Sequence, residues 1–266
     1  MLKWIAKNKY KLMPFILIGL YLLVDVAMHK GLTRVLLPKS FPDYSIDASR
    51  PANNNVLINT NKEWKKAIDT KEQINAVDIN TSGIECDVYF DTAKKIFDVH
   101  HDPGKSIGLN FDTLLQLYTN RGLKAGIWLD FKDLGEYNQK PAVTELVRLR
   151  NKYGLAGRIL VESRRPELLA PFTDSGFYTS YYTPMFNPYK FGNDEVKYWV
   201  DSLTKAIRNS KVNAISGYYY QYTFLHHYFP NYPLITWADD DKWSLVNWLF
   251  KRKASRSKEV FIVLYP

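Results

Sequence analysis

GIECDVYF, Gly83 to Phe90, puts two acids one residue apart inside a run that otherwise reads as a buried strand. Strand side chains alternate between faces, so Glu85 and Asp87 point one way and Ile84, Cys86 and Val88 the other. Two carboxylates on one face repel each other and are costly to desolvate unless positive charge stands between them. The stretch is therefore either the solvated face of an amphipathic strand or half of a metal site. Cys86 alternates away from the acids and reads as core. It is the only cysteine, which excludes an intrachain disulfide and a cysteine-based zinc site.

Outward from this strand, strand-like and helix-like segments alternate. Strands are expected at "NVLIN" (55–59), "GIECDVYF" (83–90), "KIFDVHH" (95–101), "AGIWLDF" (125–131), "RILVES" (158–163), "GFYTSYY" (176–182), "NAISGYY" (213–219), "PLITWA" (233–238) and "EVFIVLY" (259–265). Helical stretches between them include "NKEWKKAID", "NFDTLLQLYTNRG", "KPAVTELVRLRNKYG", "PELLAPFTDSG" and "NDEVKYWVDSLTKAIRNS". The repeated strand–helix–strand order predicts an α/β fold, a (β/α)8 TIM-type barrel over residues 55–266. An open doubly wound sheet is the alternative, but the sequence has no Gly-rich phosphate loop.

In such a barrel, function sits at the carboxyl ends of the strands. Those ends supply Glu85 and Asp87, then His100, His101 and Asp102, then Asp130 and Lys132, then Glu162, Ser163 and Arg164, and finally Trp237 and Asp239. Asp130 and Lys132 repeat the alternate-residue spacing and share a face. His226 and His227, in an aromatic helical stretch with no acid beside them, read as structural or rim residues.

The net charge of +9 suggests a nucleic-acid binder until it is divided along the chain. Residues 1–39 hold seven Lys or Arg against one acid, Asp25, whereas the remainder is nearly balanced. No basic nucleic-acid motif is present, and no nucleic-acid partner is expected. The N-terminus explains the imbalance. "LMPFILIGLYLLVDVAM", Leu12 to Met28, carries one charge and is preceded by four lysines. This is the pattern of a signal anchor, with no small-x-small cleavage site after it. The expected organisation is an N-terminal membrane anchor over 1–30 (span about 12–28), a Pro/Ser/Asn-rich linker over 31–54 and the barrel over 55–266. The lysine asymmetry predicts a single-pass protein of the cell membrane, with a cytoplasmic N-terminus and the barrel on the extracytoplasmic side.

"GIECDVYFDTAKKIFDVHHDP" resembles the glycerophosphodiester phosphodiesterase signature, a strand ending in Glu-x-Asp followed by a hairpin ending in His-Asp-Pro. "GIWLDFKD" resembles the next strand of that family, with an acid, one spacer and Lys. The Asp-Phe-Lys form, the "LITW" strand and the terminal "LYP" are similar to the menorin family within the same phospholipase-C-like superfamily. The resemblance implies that Glu85, Asp87 and Asp130 ligate a divalent metal, Ca²⁺ or Mg²⁺, both of which prefer oxygen ligands. It implies that His101 is a catalytic acid or base and that Lys132 faces the phosphate. His100, Glu162, Arg164 and Trp237 are possible additional site residues.

The implied function is metal-assisted hydrolysis of a phosphodiester, a lipid headgroup or a glycerophosphodiester, at a membrane. The family's first strand ends in His-Arg-Gly. Here "NNNVLINTNKEW" stands first, and no His occurs from 31 to 99. The alternative is therefore a catalytically inactive barrel acting as a binding or scaffolding module. A glycoside hydrolase also uses two acids on a barrel, but needs them about 5–10 Å apart across a cleft. A Glu-x-Asp pair on one strand with a nearby Lys suits metal and phosphate better.

Overall fold

The computed structural model describes residues 2–28, 39–46, 55–237 and 243–265. Eight parallel strands close into a barrel: β1 (Glu63–Lys65), β2 (Gly83–Asp91), β4 (Gly126–Phe131), β5 (Ile159–Ser163), β6 (Tyr178–Tyr182), β7 (Ala214–Tyr218), β8 (Leu234–Trp237) and β9 (Val260–Tyr265). Closure is made by β1, which pairs with β9 on one side and with β2 on the other. β3 (Ile96–Val99) folds back antiparallel on the far end of β2. Helices α2 (Lys71–Ala76), α3 (Phe111–Asn120), α4 (Gln139–Lys152), α5 (Ala170–Asp174), α6 (Asn193–Arg208), α7 (Tyr222–Tyr228) and α8 (Leu245–Arg256) lie between strands, and α1 (Leu2–Met28) precedes the barrel. The TIM-type expectation holds.

Two expectations for the first βα unit fail. Residues 55–59 are not a strand, and 61–69 are not a helix. The strand lies inside the supposed helix, at Glu63–Lys65, with only Trp64 buried. The 55–59 segment runs beneath the barrel instead. Ile58 N–H donates to Gly157 O at 2.7 Å, and Leu57 enters the barrel's apolar interior while Val56 and Ile58 stay exposed. An apolar alternation was present, but its buried position caps the barrel floor rather than joining the ladder.

Two apolar layers follow from strand alternation. Ile84, Cys86, Val88, Ile127, Leu129, Phe131 and Val161 face the helices, and Cys86 is fully buried there. Inward positions Trp64, Trp128, Leu160, Tyr178, Ala214, Ile235, Ile262 and Leu264 fill the lower barrel. Trp64 occupies the space over Gly83 and Gly126, which are in register on β2 and β4. Its indole N–H donates to Asn59 Oδ1 at 3.0 Å. Burying so large a ring needs two neighbouring residues without a Cβ, and it leaves the upper half of the barrel free for polar groups.

Of the segment expected as a linker, residues 39–46 pack on the barrel's outside. Phe41 is buried against Phe224, and Tyr228 OH donates to Pro42 O at 2.7 Å. The apolar part of α1, Lys11–Met28, is long and apolar enough to cross a membrane, and nearly all of it is exposed. Its one acid is an exception. Asp25 is buried, and its Oδ2 accepts the Val246 N–H at 3.0 Å in the first turn of α8. One turn back, Tyr21 OH donates to the Trp243 carbonyl.

Candidate metal and phosphate site

Above the aromatic floor, the inward positions change from apolar to acidic. Glu85 and Asp87 on β2 stand beside Trp128 and Asp130 on β4, and Asp130 stands beside Glu162 on β5. They open into a cavity of about 450 Å³ that is also lined by Lys66, His101, Lys132, Arg164, Tyr182 and Trp237. Oxygens of Glu85, Asp87 and Asp130 lie within 4.8 Å of one another, and among the described residues these three form the cluster suited to a cation. The two strand pairs singled out in the sequence thus meet at one point.

Backbone amides tie two of these positions in place. Glu85 Oε2 accepts the Ala67 N–H at 2.7 Å, from a turn in which Ala67 takes φ +57°. Asp69 Oδ1 accepts the Asp87 N–H at 2.9 Å. Lys132 Nζ lies 2.7 Å from Asp87 Oδ1 and is also bonded to Asp130 Oδ2. Burial works against the Lys132 ammonium, but Asp130 and Asp87 outweigh it and hold its pKa above the ordinary lysine value. One lysine does not balance the cluster. Burial, then Asp87 and Asp130, push Glu85 well above the ordinary carboxyl range. Burial, then Asp130, do the same to Glu162, whose Oε2 has no hydrogen-bond partner. Asp130 is raised by burial against the opposing pull of Lys132. Carboxylates in this condition are short of positive charge.

At the rim, His101 is exposed and its Nδ1 lies 2.9 Å from Asp102 Oδ1. Lys105 and His101 hold Asp102 at about 2, so it stays ionised. An ionised Asp102 favours the tautomer with the proton on Nδ1, leaving Nε2 available. Arg164 stacks over the Tyr182 ring at 4.7 Å, and Trp237 meets Tyr182 edge-on. His100 does not line the cavity. It is buried, stacked on Tyr89 at 4.3 Å, with Nδ1 against the Asp102 carbonyl. Asp239 lies outside the described residues. His226 and His227 lie on α7 and do not line this cavity, and Asn59 and Asn61 are at the opposite end. A larger hollow of about 620 Å³ lies there, but its one carboxylate, Glu259, is exposed, so no acidic cluster forms in it.

Sequence reasoning passed over Lys66, Asp69 and Tyr182. The first two fall in the stretch read as helical. With β1 placed at 63–65, alternation from inward Trp64 brings Lys66 into the cavity. A lysine, and no histidine, therefore follows the first strand into the cavity. Asp69 is raised to about 7 by burial and by Asp87. An acid whose folded pKa exceeds its unfolded value binds a proton on folding between the two. In the presence of chelator, stability should therefore fall as pH rises from 3.8 to about 7. Asp69→Asn should flatten that slope in urea midpoints measured across this range, and an unchanged slope would exclude Asp69 as its source.

No family model matches the sequence, and no curated protein matches it. Solved structures do match in fold. A protein from Galdieria sulphuraria assigned as a glycerophosphodiester phosphodiesterase superposes with a TM-score of 0.53 at 15% identity, over 80% of this chain and 95% of that one. A glycerophosphodiester phosphodiesterase from Parabacteroides distasonis gives 0.50 at 14% identity, covering 77% and 93%. An Oleispira antarctica phosphodiesterase in complex with the product sn-glycerol-3-phosphate gives 0.53 at 11%, covering 77% and 92%. The chain shares the (β/α)8 barrel fold of these proteins.

Proposed function

We propose that the protein is a membrane-anchored, metal-assisted phosphodiesterase of the menorin type, acting on a lipid headgroup or a glycerophosphodiester. The observation that carries this reading is the convergence of Glu85, Asp87 and Asp130 within 4.8 Å in a cavity that Lys66, Lys132 and Arg164 also line. The acids would hold a divalent cation, and the lysines and arginine would hold phosphate oxygens. Oxygen-only donors that are short of positive charge fit Ca²⁺ or Mg²⁺. The cation would supply polarisation of the phosphodiester when bound.

The chain's own residues do the rest. Arg164, steadied by Tyr182, orients the phosphate, and Lys132 neutralises charge on it. His101 Nε2, with its tautomer fixed by Asp102, moves the proton to or from the reacting oxygen. Purified protein should hydrolyse a glycerophosphodiester or a lysophospholipid in a chelator-sensitive way. His101→Ala should lower turnover by about 10²–10⁴-fold, the usual size of general acid–base catalysis. It should leave metal binding intact, because that side chain is assigned to proton transfer. Lys66, and no histidine, after the first strand favours a second reading, a binding barrel without turnover. Metal-dependent stabilisation with no hydrolysis of any phosphodiester would select it.

The anchor belongs to the same proposal. α1 crosses the bilayer with its lysine-rich end in the cytoplasm, which puts the barrel outside. Full-length protein should stay with membranes through alkaline carbonate extraction, and recovery in the soluble fraction at full mass would refute the anchor.

A further inference from the structure

The outer face of α8 breaks the usual pattern of a barrel helix. Its inner side is conventional: Val246, Phe250 and Ala254 are buried. Its outer side should be polar, yet Leu245, Trp248 and Leu249 are 42%, 51% and 38% exposed, and Trp243 just before the helix is 86% exposed. Positions 245, 248, 249 and 252 form one helical stripe, which ends in Arg252 with its guanidinium 5.5 Å from the Trp248 ring. The first turns of α8 are apolar on both sides, a condition that calls for a cover.

The contact with α1 says what the cover is. Asp25 near the end of the apolar helix binds the Val246 N–H, and Tyr21 binds the Trp243 carbonyl. Moving from Asp25 to Tyr21 goes about 6 Å back into the apolar span, at 1.5 Å per residue. The same step on α8 leads from Val246 toward Trp243, so the start of α8 is its deepest part. The stripe then grades from Trp243 through Leu245, Trp248 and Leu249 to Arg252. Aromatic rings at the headgroup level and a cation above them are the composition of a membrane interface.

We propose that this face of α8 rests in the interfacial layer of the bilayer beside α1, which turns the mouth of the barrel toward lipid. The mouth is involved because β8 ends at Trp237 on the cavity wall and α8 starts from that same end. Docking requires the anchor reading but no catalytic activity, and the two can fail separately.

The test uses the full chain in phosphatidylcholine–phosphatidylglycerol vesicles. Cys86 is fully buried and is the only cysteine, so introduced cysteines take the label. An environment-sensitive dye is placed at Trp248→Cys, at Leu17→Cys within α1, and at Ile79→Cys, exposed before β2 at the opposite end of the barrel. The dyes at 248 and 17 should be quenched by nitroxide lipids and shielded several-fold from iodide relative to 79. A dye at 248 as open to iodide as that at 79, with 17 still in lipid, overturns the docking. A dye at 17 open to iodide refutes the anchor, and the docking with it. Shielding at 248 that persists in detergent and rises with protein concentration would assign the face to a second copy of the chain and also overturn the proposal.

Discussion

Ca²⁺ or Mg²⁺ should raise the melting temperature of the detergent-solubilised protein by about 5–10 °C, and Glu85→Ala should erase that rise. A ligand that binds only the folded state stabilises it by about 2.7 kcal/mol at a hundredfold excess over Kd. In a domain of this size each kcal/mol moves the melting point by about 2–4 °C. The direction follows from the site. Glu85 is forced above its ordinary pKa by burial and by Asp87 and Asp130, so the ionised cluster is strained without a second cation beside Lys132. A divalent ion relieves that strain and displaces protons, so the response should grow as pH rises through the carboxyl range. Removing Glu85 takes away one of the three proposed ligands and the anchor on the Ala67 amide. His101→Ala is the control and should leave the rise in place. Identical melting curves with metal, with chelator and in Glu85→Ala would sink both the metal site and the phosphodiesterase reading.

The second large effect is structural. Trp64→Ala should cost about 3–5 kcal/mol, the range for emptying a large aromatic site in a core. The reciprocal changes are more diagnostic. A Cβ at Gly83 would lie 1.9 Å from Trp64 Cδ2, and one at Gly126 would lie 2.5 Å from Cη2. Neither strand can retreat, because each is bonded on both sides. Gly83→Ala should therefore destabilise wild-type protein by at least the ~1–3 kcal/mol typical of overpacking. It should cost little in a Trp64→Ala background, where the clash is gone. Urea midpoints in mild detergent give the double-mutant cycle. Additive costs would show that the ring does not depend on the two glycines.

Most of this barrel is legible in the sequence because its later strands are apolar runs of four or more residues bounded by turns. The acidic triad is legible for a simpler reason: Glu85-x-Asp87 and Asp130-x-Lys132 fix which side chains share a face without any knowledge of the partner strand. β1 escaped because three residues with Glu63 and Lys65 on either side of Trp64 carry no apolar periodicity. Its identity comes from β9 and β2, which is tertiary information. That misplacement hid Lys66 and Asp69. Asp25 could be seen as an isolated charge in an apolar run, but its partner, a backbone amide at residue 246, has no signature in side-chain chemistry.

The closure of the ring bears on how the protein is made. Glu63 pairs with Val263, two hundred residues later in the chain. Until β9 emerges from the ribosome, β1 keeps an unbonded edge and the acids of β2 and β4 stand in an open, hydrated trough. α1 is synthesised before any strand, so on the proposed anchoring this unfinished sheet would already be tethered to a bilayer. A parallel sheet with a bare edge folds slowly and templates aggregation. An edge exposed for that long calls for a holdase wherever the barrel matures. Nascent chains stalled before Val260 should be the form that quality-control proteases clear first.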